Sequence, residues 1–139
     1  MHTITVEGIP VPWMAHAGFG RRSFNPRFRE KDYAIHYIKL QYALLPIKDP
    51  VSVTYDFQMP IPKATSKKKY AQMVSGEIAH TKHKDITNCV KFMEDCLKGI
   101  VFVDDCQVIE IIARKRYSEH PKTVINIRRV LYDGKPTSL

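Results

Sequence analysis

The alternating run over residues 51–58 restricts the fold of this chain more than any other segment. Val51, Val53, Tyr55 and Phe57 alternate with polar side chains, and two prolines follow at positions 60 and 62. Successive side chains of a strand point to opposite faces, so this pattern predicts a strand with one buried face and one polar face. Proline lacks the backbone N–H that a sheet uses, so the strand is expected to end there.

Further strands and helices are predicted from the period of apolar residues and from caps and breakers. In the first helix Tyr33, Tyr37, Leu40 and Leu44 form the expected apolar stripe, and Pro46 ends it. The last two strands are expected to pair as a hairpin. In chain order the predicted elements are a strand at 3–7, a helix at 30–45, the strand at 51–58, a short helix capped by Thr65 or Ser66, a helix at 86–98 followed by Gly99, and strands at 107–117 and 123–130.

This order predicts a mixed α/β fold in which two main helices pack on one mixed β-sheet. The chain has 139 residues, of which 44% are hydrophobic, and this suits a single domain. We expect residues 1–130 to form it and residues 131–139 to be a flexible tail. Cys89, Cys96 and Cys106 lack the spacing of a zinc site and are expected to be small core residues in a reducing compartment. No signal peptide or run of roughly 18 apolar residues is visible, so a cytoplasmic protein without a membrane partner is expected.

Positive charge exceeds negative charge in this sequence, with 22 Lys and Arg against 14 Asp and Glu and a formal net charge of +8. Such an excess favours a polyanionic partner such as a nucleic acid. The cations are gathered in short segments, from which salt-dependent contacts to phosphates are expected. The candidate DNA-binding residues are Arg21, Arg22, Arg27, Lys67, Lys68, Lys69, Lys82, Lys84, Arg114 and Arg116.

A few carboxylates lie among these basic segments, at both ends of the second main helix. Asp85 precedes that helix, and Asp104 and Asp105 follow a short apolar run after it. A helix of about 12 residues is about 18 Å long, and a short returning strand is expected to bring Asp105 back beside Asp85. Converging carboxylates suit a hard Mg²⁺ or Mn²⁺ ion, which activates water and neutralises charge during phosphodiester cleavage. Lys91, on the polar face of the helix, can place an ammonium near the same phosphate.

Each of these residues also has a purely structural interpretation. Asp85 can be the N-cap of the helix, accepting a hydrogen bond from a backbone N–H of the first turn. Asp104 and Asp105 can be turn residues between two strands, and Lys91 can be a solvated surface charge. The presence of carboxylates at both ends of one helix, with a lysine between them, favours the catalytic interpretation.

The same residues resemble the signature of the RusA family of Holliday-junction resolvases. The segment T-K-H-K-D-I-T-N at residues 81–88 is similar to the start of the family pattern K-P-D-x-D-N-x-x-K-x-x-x-D-x-L-x-G. That pattern continues in this chain at Lys91, Asp95, Leu97 and Gly99. Residues 103–108, V-D-D-C-Q-V, are similar to the family's D-D-S-Q-[IV] element. The likeness extends to the G-I-P-V-P opening at residues 8–12 and to a basic strand at residues 113–117.

The resemblance implies a small homodimeric, magnesium-dependent endonuclease of bacterial or prophage origin. Such an enzyme binds four-way DNA junctions and nicks two strands symmetrically in recombination and repair. The resemblance implies that Asp85 and Asp105 are catalytic and that Lys91 assists them, with Asp85, Asp104, Asp105 and Thr87 at the metal site. A four-way junction has approximate twofold symmetry, which a C2 dimer matches with one active site on each of two strands.

Thr87 is the main departure from the family pattern, because it stands where the second motif aspartate is expected. A neutral hydroxyl removes one negative charge from a site for a hard cation. Three outcomes remain open: metal binding through the other aspartates, loss of one ion from a two-metal site, or junction binding without cleavage. Glu94, about two turns along the helix from Thr87, either substitutes for the missing motif carboxylate or is a surface residue. The competing predictions are a junction-binding protein without activity and, from charge alone, an RNA-binding module.

Overall fold

The structure is a computed structural model that describes residues 1–15, 18 and 25–130. In chain order the elements are β1 (His2–Glu7), α1 (Phe28–Gln41), β2 (Val51–Pro60), α2 (Lys67–Ser75), α3 (Ile86–Leu97), β3 (Val108–Ser118) and β4 (Lys122–Arg129). A single hydrophobic core joins the sheet to α1 and α3, so the predicted mixed α/β single domain is confirmed. Within the described residues, no helix is both long and apolar enough to cross a membrane.

The alternating run forms a central strand, as its pattern predicts. β2 pairs in antiparallel with β4 and in parallel with β3, and β1 pairs with the other side of β4. The strand order is therefore β1-β4-β2-β3. Val51, Val53, Tyr55 and Phe57 are fully buried. Because burial of one such side chain contributes about 1.5–3 kcal/mol, β2 is a main source of stability.

The hairpin predicted for the last two strands is wrong. β3 and β4 lie on opposite sides of β2, and residues 119–121 cross the end of β2 to connect them. Tight hairpin turns require positive φ, which Gly or Asn supplies most readily, and the connecting sequence S-E-H-P contains neither residue. Insertion of β2 between the two strands instead pairs both edges of the most apolar strand.

α1 is shorter than predicted and buries a different face. It ends at Gln41, whose side-chain amide donates to the backbone carbonyl of Thr5 at 2.7 Å and accepts from its N–H at 2.8 Å. The next residue, Tyr42, has an extended backbone and is buried. Ala34 and Ile38 are the buried residues of the helix. The predicted stripe is largely exposed, at Tyr33, Leu40 and Leu44. The tie to β1 thus sets both the end and the rotation of α1.

α2 begins with a predicted cap and α3 is followed by the predicted glycine. Ser66 accepts a hydrogen bond from a backbone N–H of the first turn of α2. Gly99 has a φ of +84°, a left-handed conformation that glycine adopts without steric cost. Cys89 and Cys96 are buried on α3 as predicted, and burial raises the pKa of their thiols to about 11 and about 12. Cys106 is exposed, because it lies in a surface turn before β3, so its assignment to the core is wrong.

Candidate functional site

Asp85 caps the amino end of α3. Its Oδ1 accepts hydrogen bonds from the backbone N–H groups of Thr87 at 2.8 Å and Asn88 at 3.3 Å. The partial positive charge of a helix N-terminus also stabilises a carboxylate. The structural interpretation of Asp85 is therefore confirmed. Because the residue is also exposed, capping leaves it accessible to a ligand.

Lysine side chains from two other segments converge on this end of α3. The Nζ of Lys84 donates to the carbonyl of Pro10 at 3.2 Å. The Nζ of Lys115 reaches across from β3 and donates to the carbonyls of Lys82 at 3.0 Å and Lys84 at 3.1 Å. Sequence reasoning missed Lys115, although the alternation of β3 puts it on the face opposite Arg114. The positive charge beside Asp85 is thus fixed by contacts to backbone carbonyls.

Lys91 lies in the second turn of α3 and contacts Trp13. Its Nζ lies 3.4 Å from the centroid of the indole, which is a cation–π contact. The backbone N–H of Trp13 donates to the carbonyl of Asn88 at 2.8 Å, and the ring packs against the core. The amino-terminal segment therefore holds the ammonium of Lys91 near the first turns of α3.

Asp104 and Asp105 lie at the other end of α3, beside Lys98. The Nζ of Lys98 is 3.3 Å from Oδ1 of Asp104 and 4.0 Å from Oδ1 of Asp105. Hydrogen bonds with the side chains of Asp105 and Lys98 lower the pKa of Asp104 to about 2. Burial and the charge of Asp105 raise the pKa of Glu94. Glu94 therefore interacts with Asp105, about two turns of α3 from Thr87.

Gln107 fixes the turn that carries the acidic pair, and sequence reasoning assigned it no role. Its Oε1 accepts from the backbone N–H of Asp104 at 2.8 Å. Its Nε2 donates to the carbonyls of Ile47 at 2.8 Å and Asp49 at 2.9 Å. The amide therefore joins the turn to the segment before β2. The glutamine of the D-D-S-Q-[IV] element is the sequence signal that could have identified this residue.

The two groups of aspartates are separated by the length of α3. Asp85 caps a helix of 12 residues, and Lys98, which contacts Asp104, follows its last residue. Such a helix is about 18 Å long. β3 gives a second measure of this separation. Val108, the first residue of β3, follows the acidic turn, and Lys115 of β3 contacts the segment next to Asp85. The seven residues from Val108 to Lys115 span about 23 Å of a strand. The prediction that Asp105 returns beside Asp85 within one chain is therefore wrong.

The apolar run after α3 explains this difference. Residues 100–103 were expected to return along the helix as a short strand. Instead the N–H of Val101 donates to the carbonyl of Leu97 at 2.9 Å, and the N–H of Gly99 to that of Phe102 at 2.7 Å. Val101 and Phe102 are fully buried. The run thus closes the core at the end of α3, and the chain returns only afterwards, through β3.

Within one copy, the described residues do not assemble three ligands of a metal centre. Among the described residues, no group of three or more His, Cys, Asp or Glu side chains is positioned to hold an ion. Asp104 and Asp105 are adjacent, but the ammonium of Lys98 already lies against them. The Mg²⁺ site predicted from the sequence is therefore not formed by the described residues of a single copy.

Some of the predicted DNA-binding residues are exposed cations. Lys67, Lys68 and Lys69 occupy the first turn of α2, where their charges oppose the helix dipole. Stability therefore does not explain three lysines at this position. Lys82 and Arg114 are exposed as well.

Other predicted DNA-binding residues have partners within the protein. Arg116 makes two hydrogen bonds to the carboxylate of Asp56, at 3.0 and 3.1 Å. Arg27 donates to the carbonyl of Pro12 at 3.2 Å and lies 3.8 Å from the carboxylate of Glu30. The predicted contacts Arg21 and Arg22 lie outside the residues that the structure describes.

Comparison with known proteins identifies the family of this chain. The family model described as "Endodeoxyribonuclease RusA" matches residues 26–128, a range that includes both groups of aspartates. A Bacillus subtilis (strain 168) protein named "Uncharacterized protein YqaN" is 36% identical over 86 residues, which covers 60% of this chain and 61% of that protein. The match thus spans less than two thirds of the relative's length. Because the family model covers well over half of the chain, the protein belongs to the RusA endodeoxyribonuclease family.

Proposed function

We propose that this protein is a structure-specific endonuclease that binds four-way DNA junctions and nicks two strands symmetrically, in recombination and repair. The observation that carries the proposal is an exposed carboxylate, Asp85, at the N-cap of α3. Three cations accompany it: Lys84 precedes it, Lys91 lies in the second turn of α3, and Lys115 donates to the carbonyl of Lys84. The cations attract a phosphodiester, and the carboxylate is an oxygen ligand of the kind that hard divalent ions take. Family membership supports the same reaction. Branched DNA in a bacterial cytoplasm is the corresponding substrate.

We further propose a homodimer, with Mg²⁺ as cofactor and Mn²⁺ as its substitute. Hard divalent ions bind oxygen ligands at about 2.0–2.6 Å, whereas α3 separates Asp85 from Asp105 by about 18 Å. One ion therefore cannot contact both residues of the same copy. Two copies that lie side by side in opposite directions bring Asp85 of one and Asp105 of the other to the same end of the dimer.

A nicking assay on a labelled four-way junction tests the activity. With Mg²⁺ or Mn²⁺ the protein is expected to release symmetric nicks, and Asp85→Asn is expected to bind the junction without nicking it. Asp32→Asn, which neutralises an exposed carboxylate on α1, serves as the matched control and keeps the wild-type rate. Binding without nicks in either metal would exclude the nuclease.

Mixing two inactive variants tests whether copies share a site. If Asp85 and Asp105 act across the dimer, a mixed dimer of Asp85→Asn and Asp105→Asn has one intact site and one doubly altered site. Random mixing then restores about a quarter of the active sites. If both residues act within one chain, every site in the mixture is altered and no nicking returns.

The second candidate function is junction binding without cleavage, and Thr87 is the observation that favours it. Its side chain is an exposed, neutral hydroxyl in the first turn of α3, where the family pattern has a carboxylate. Loss of that charge weakens the attraction for a divalent ion. Equal junction affinity with and without metal, together with intact strands, is the result that supports this alternative.

A further inference from the structure

β3 lies at the edge of the sheet, and its outer side has no partner strand among the described residues. It is 11 residues long and pairs only with β2. Natural proteins usually shield long edge strands with charges, bulges or covering segments, because an open edge pairs readily with another strand. Here Ile109, Ile111 and Ile112 are 58%, 45% and 48% exposed. These exposed isoleucines make the amino-terminal half of the edge a surface for strand pairing.

We infer that the β3 edge pairs in antiparallel with β3 of a second copy, about a twofold axis at Ile112. Two identical edges related by a twofold axis perpendicular to the strands run in opposite directions. About this axis, Ile112 of each copy faces Ile112 of the other. Ile111 lies opposite Ala113 on the face that packs against the helices. The pairing therefore gives Ile111 and Ile112 apolar partners, while Ile109 lies opposite Lys115.

The charges of β3 are complementary in this register. Glu110 and Arg114 lie two residues on either side of the axis, so each Glu110 faces Arg114 of the other copy, and the contact occurs twice. Both residues are exposed and share the face of the sheet that carries the hydrogen bond from Ser52 to Glu110. Opposite charges directly across an antiparallel pair stabilise it, and like charges destabilise it.

Neighbouring registers lose this complementarity. With the axis at Ile111, Arg114 faces Val108, and with the axis at Ala113 it faces Ile112. Arg116 does not replace it, because its guanidinium is already paired with Asp56. Arg114 has no ion-pair partner within the described part of the chain. The register about Ile112 is therefore the one that pairs Ile112 with itself and Ile111 with Ala113 while it also pairs acid with base.

A second copy fits the isoleucine half of this edge, residues 109–112, better than DNA does, because isoleucine side chains offer no donor to phosphates. One consequence rests on the proposed function. Antiparallel pairing brings the amino end of β3, which follows Asp104 and Asp105, toward the carboxyl end of the other β3, where Lys115 contacts the segment next to Asp85. This is the arrangement that a site shared between two copies requires.

Charge reversal tests the interface without reference to nicking. Sedimentation of the wild type is expected to give a dimer. Glu110→Arg or Arg114→Glu alone is expected to raise the dissociation constant of the dimer roughly tenfold or more. The reason is that each variant places like charges opposite each other at two positions of the interface. The double variant Glu110→Arg/Arg114→Glu restores both pairs and with them the dimer. A monomeric wild type, or single variants that dimerise as tightly as the wild type, would overturn the inference. Circular dichroism confirms that each variant is folded.

Cross-linking tests the register directly. In a Cys106→Ser background, Ile112→Cys places two thiols opposite each other across the axis, at the Cα separation of about 4.5–5.5 Å that suits a disulfide. Mild oxidation is expected to convert most of this variant to a covalent dimer. Ile109→Cys is the matched control, because position 109 faces Lys115 and its two copies lie far apart. Equal cross-linking at both positions, or none at position 112, contradicts the register.

The failure of this inference and the failure of the proposed function give different results. A dimer that passes both tests but leaves junctions intact keeps the interface and excludes the nuclease. A protein that nicks junctions but whose charge variants keep the wild-type mass excludes the interface and keeps the nuclease. A change in junction affinity without a change in mass assigns the edge to DNA and overturns the inference.

Discussion

Substitution of Thr87 tests whether the missing negative charge at the amino end of α3 limits the rate of DNA nicking. Thr87→Asp adds a carboxylate to the first helical turn, next to Asp85, and is expected to raise the nicking rate because it strengthens binding of a divalent ion. An added charge at a helix N-terminus also stabilises the fold, by about 0.3–1 kcal/mol. Nicking kinetics and thermal unfolding separate the two effects. Thr81→Asp, an equal charge in the exposed segment before the helix, is the control. A more stable Thr87→Asp with an unchanged rate would assign Thr87 to the helix alone.

His80 gives the stability of the protein a dependence on pH. It is buried, its ring lies 4.8 Å from that of Tyr117, and its Nδ1 has no hydrogen-bond partner among the described residues. Burial and the charge of Lys115 lower the pKa of His80 from the usual 6.5. As the pH falls below 6.5, the unfolded chain takes up a proton that the folded chain does not, so the free energy of unfolding decreases, by at most about 1.4 kcal/mol per pH unit.

Urea unfolding between about pH 8 and pH 5 measures this dependence. His80→Phe keeps a ring beside Tyr117 and removes the titrating group, so its stability is expected to change less below pH 6.5. His83→Gln alters an exposed histidine nearby and is expected to retain the slope of the wild type. Parallel curves for His80→Phe and the wild type would show that another group carries the dependence.

At the scale of elements, α2 has a charge pattern that favours binding over stability. Replacing Lys67, Lys68 and Lys69 with Gln removes three positive charges from a helix N-terminus, where each is unfavourable by about 0.3–1 kcal/mol. The variant is therefore expected to unfold at a higher temperature. It is also expected to bind junctions more weakly, with a logarithmic salt dependence that is shallower by roughly 0.9 for each lost phosphate contact. Gln at Lys31, Lys39 and Lys48 gives the same change in net charge elsewhere and serves as the control. Equal losses of affinity in both variants would assign no special role to α2.

The elements were easier to predict from the sequence than their pairing. The alternation of Val51 to Phe57 and the caps of α2 and α3 depend on neighbouring residues, and these predictions are confirmed. The insertion of β2 between β3 and β4 depends on which edges are buried by distant segments, and the local pattern predicted a hairpin instead. The end of α1 depends on the contact of Gln41 with Thr5, residues 36 positions apart. Local chemistry thus predicts elements, while long-range contacts set their order.

The same division holds for the candidate site of the whole molecule. The prediction that Asp85 precedes the helix and that Lys91 lies within it, about one and a half turns later, is confirmed, because that separation is set by a single helix. The position of Asp105 depended on the path of residues 100–103, in which Val101 and Phe102 pack into the core because their side chains are more favourable there than on the surface. Net charge alone left DNA and RNA as alternatives, and only the family match distinguishes an endodeoxyribonuclease from an RNA-binding module.

The twofold symmetry of the proposed dimer makes a prediction about its products. A dimer with one site per junction strand can nick both strands before it dissociates, whereas a monomer nicks one strand in each encounter. On a supercoiled plasmid that extrudes a cruciform, the first nick relaxes the DNA and removes the junction, so only paired nicks give linear product. Wild-type protein is therefore expected to yield linear plasmid, and Glu110→Arg to yield nicked circles at the same extent of reaction. Gel electrophoresis of the time course resolves the two forms. Nicked circles as the main product of the wild type would show that the two active sites of the dimer act independently. Linear product from Glu110→Arg would show that paired cleavage does not depend on the β3 interface.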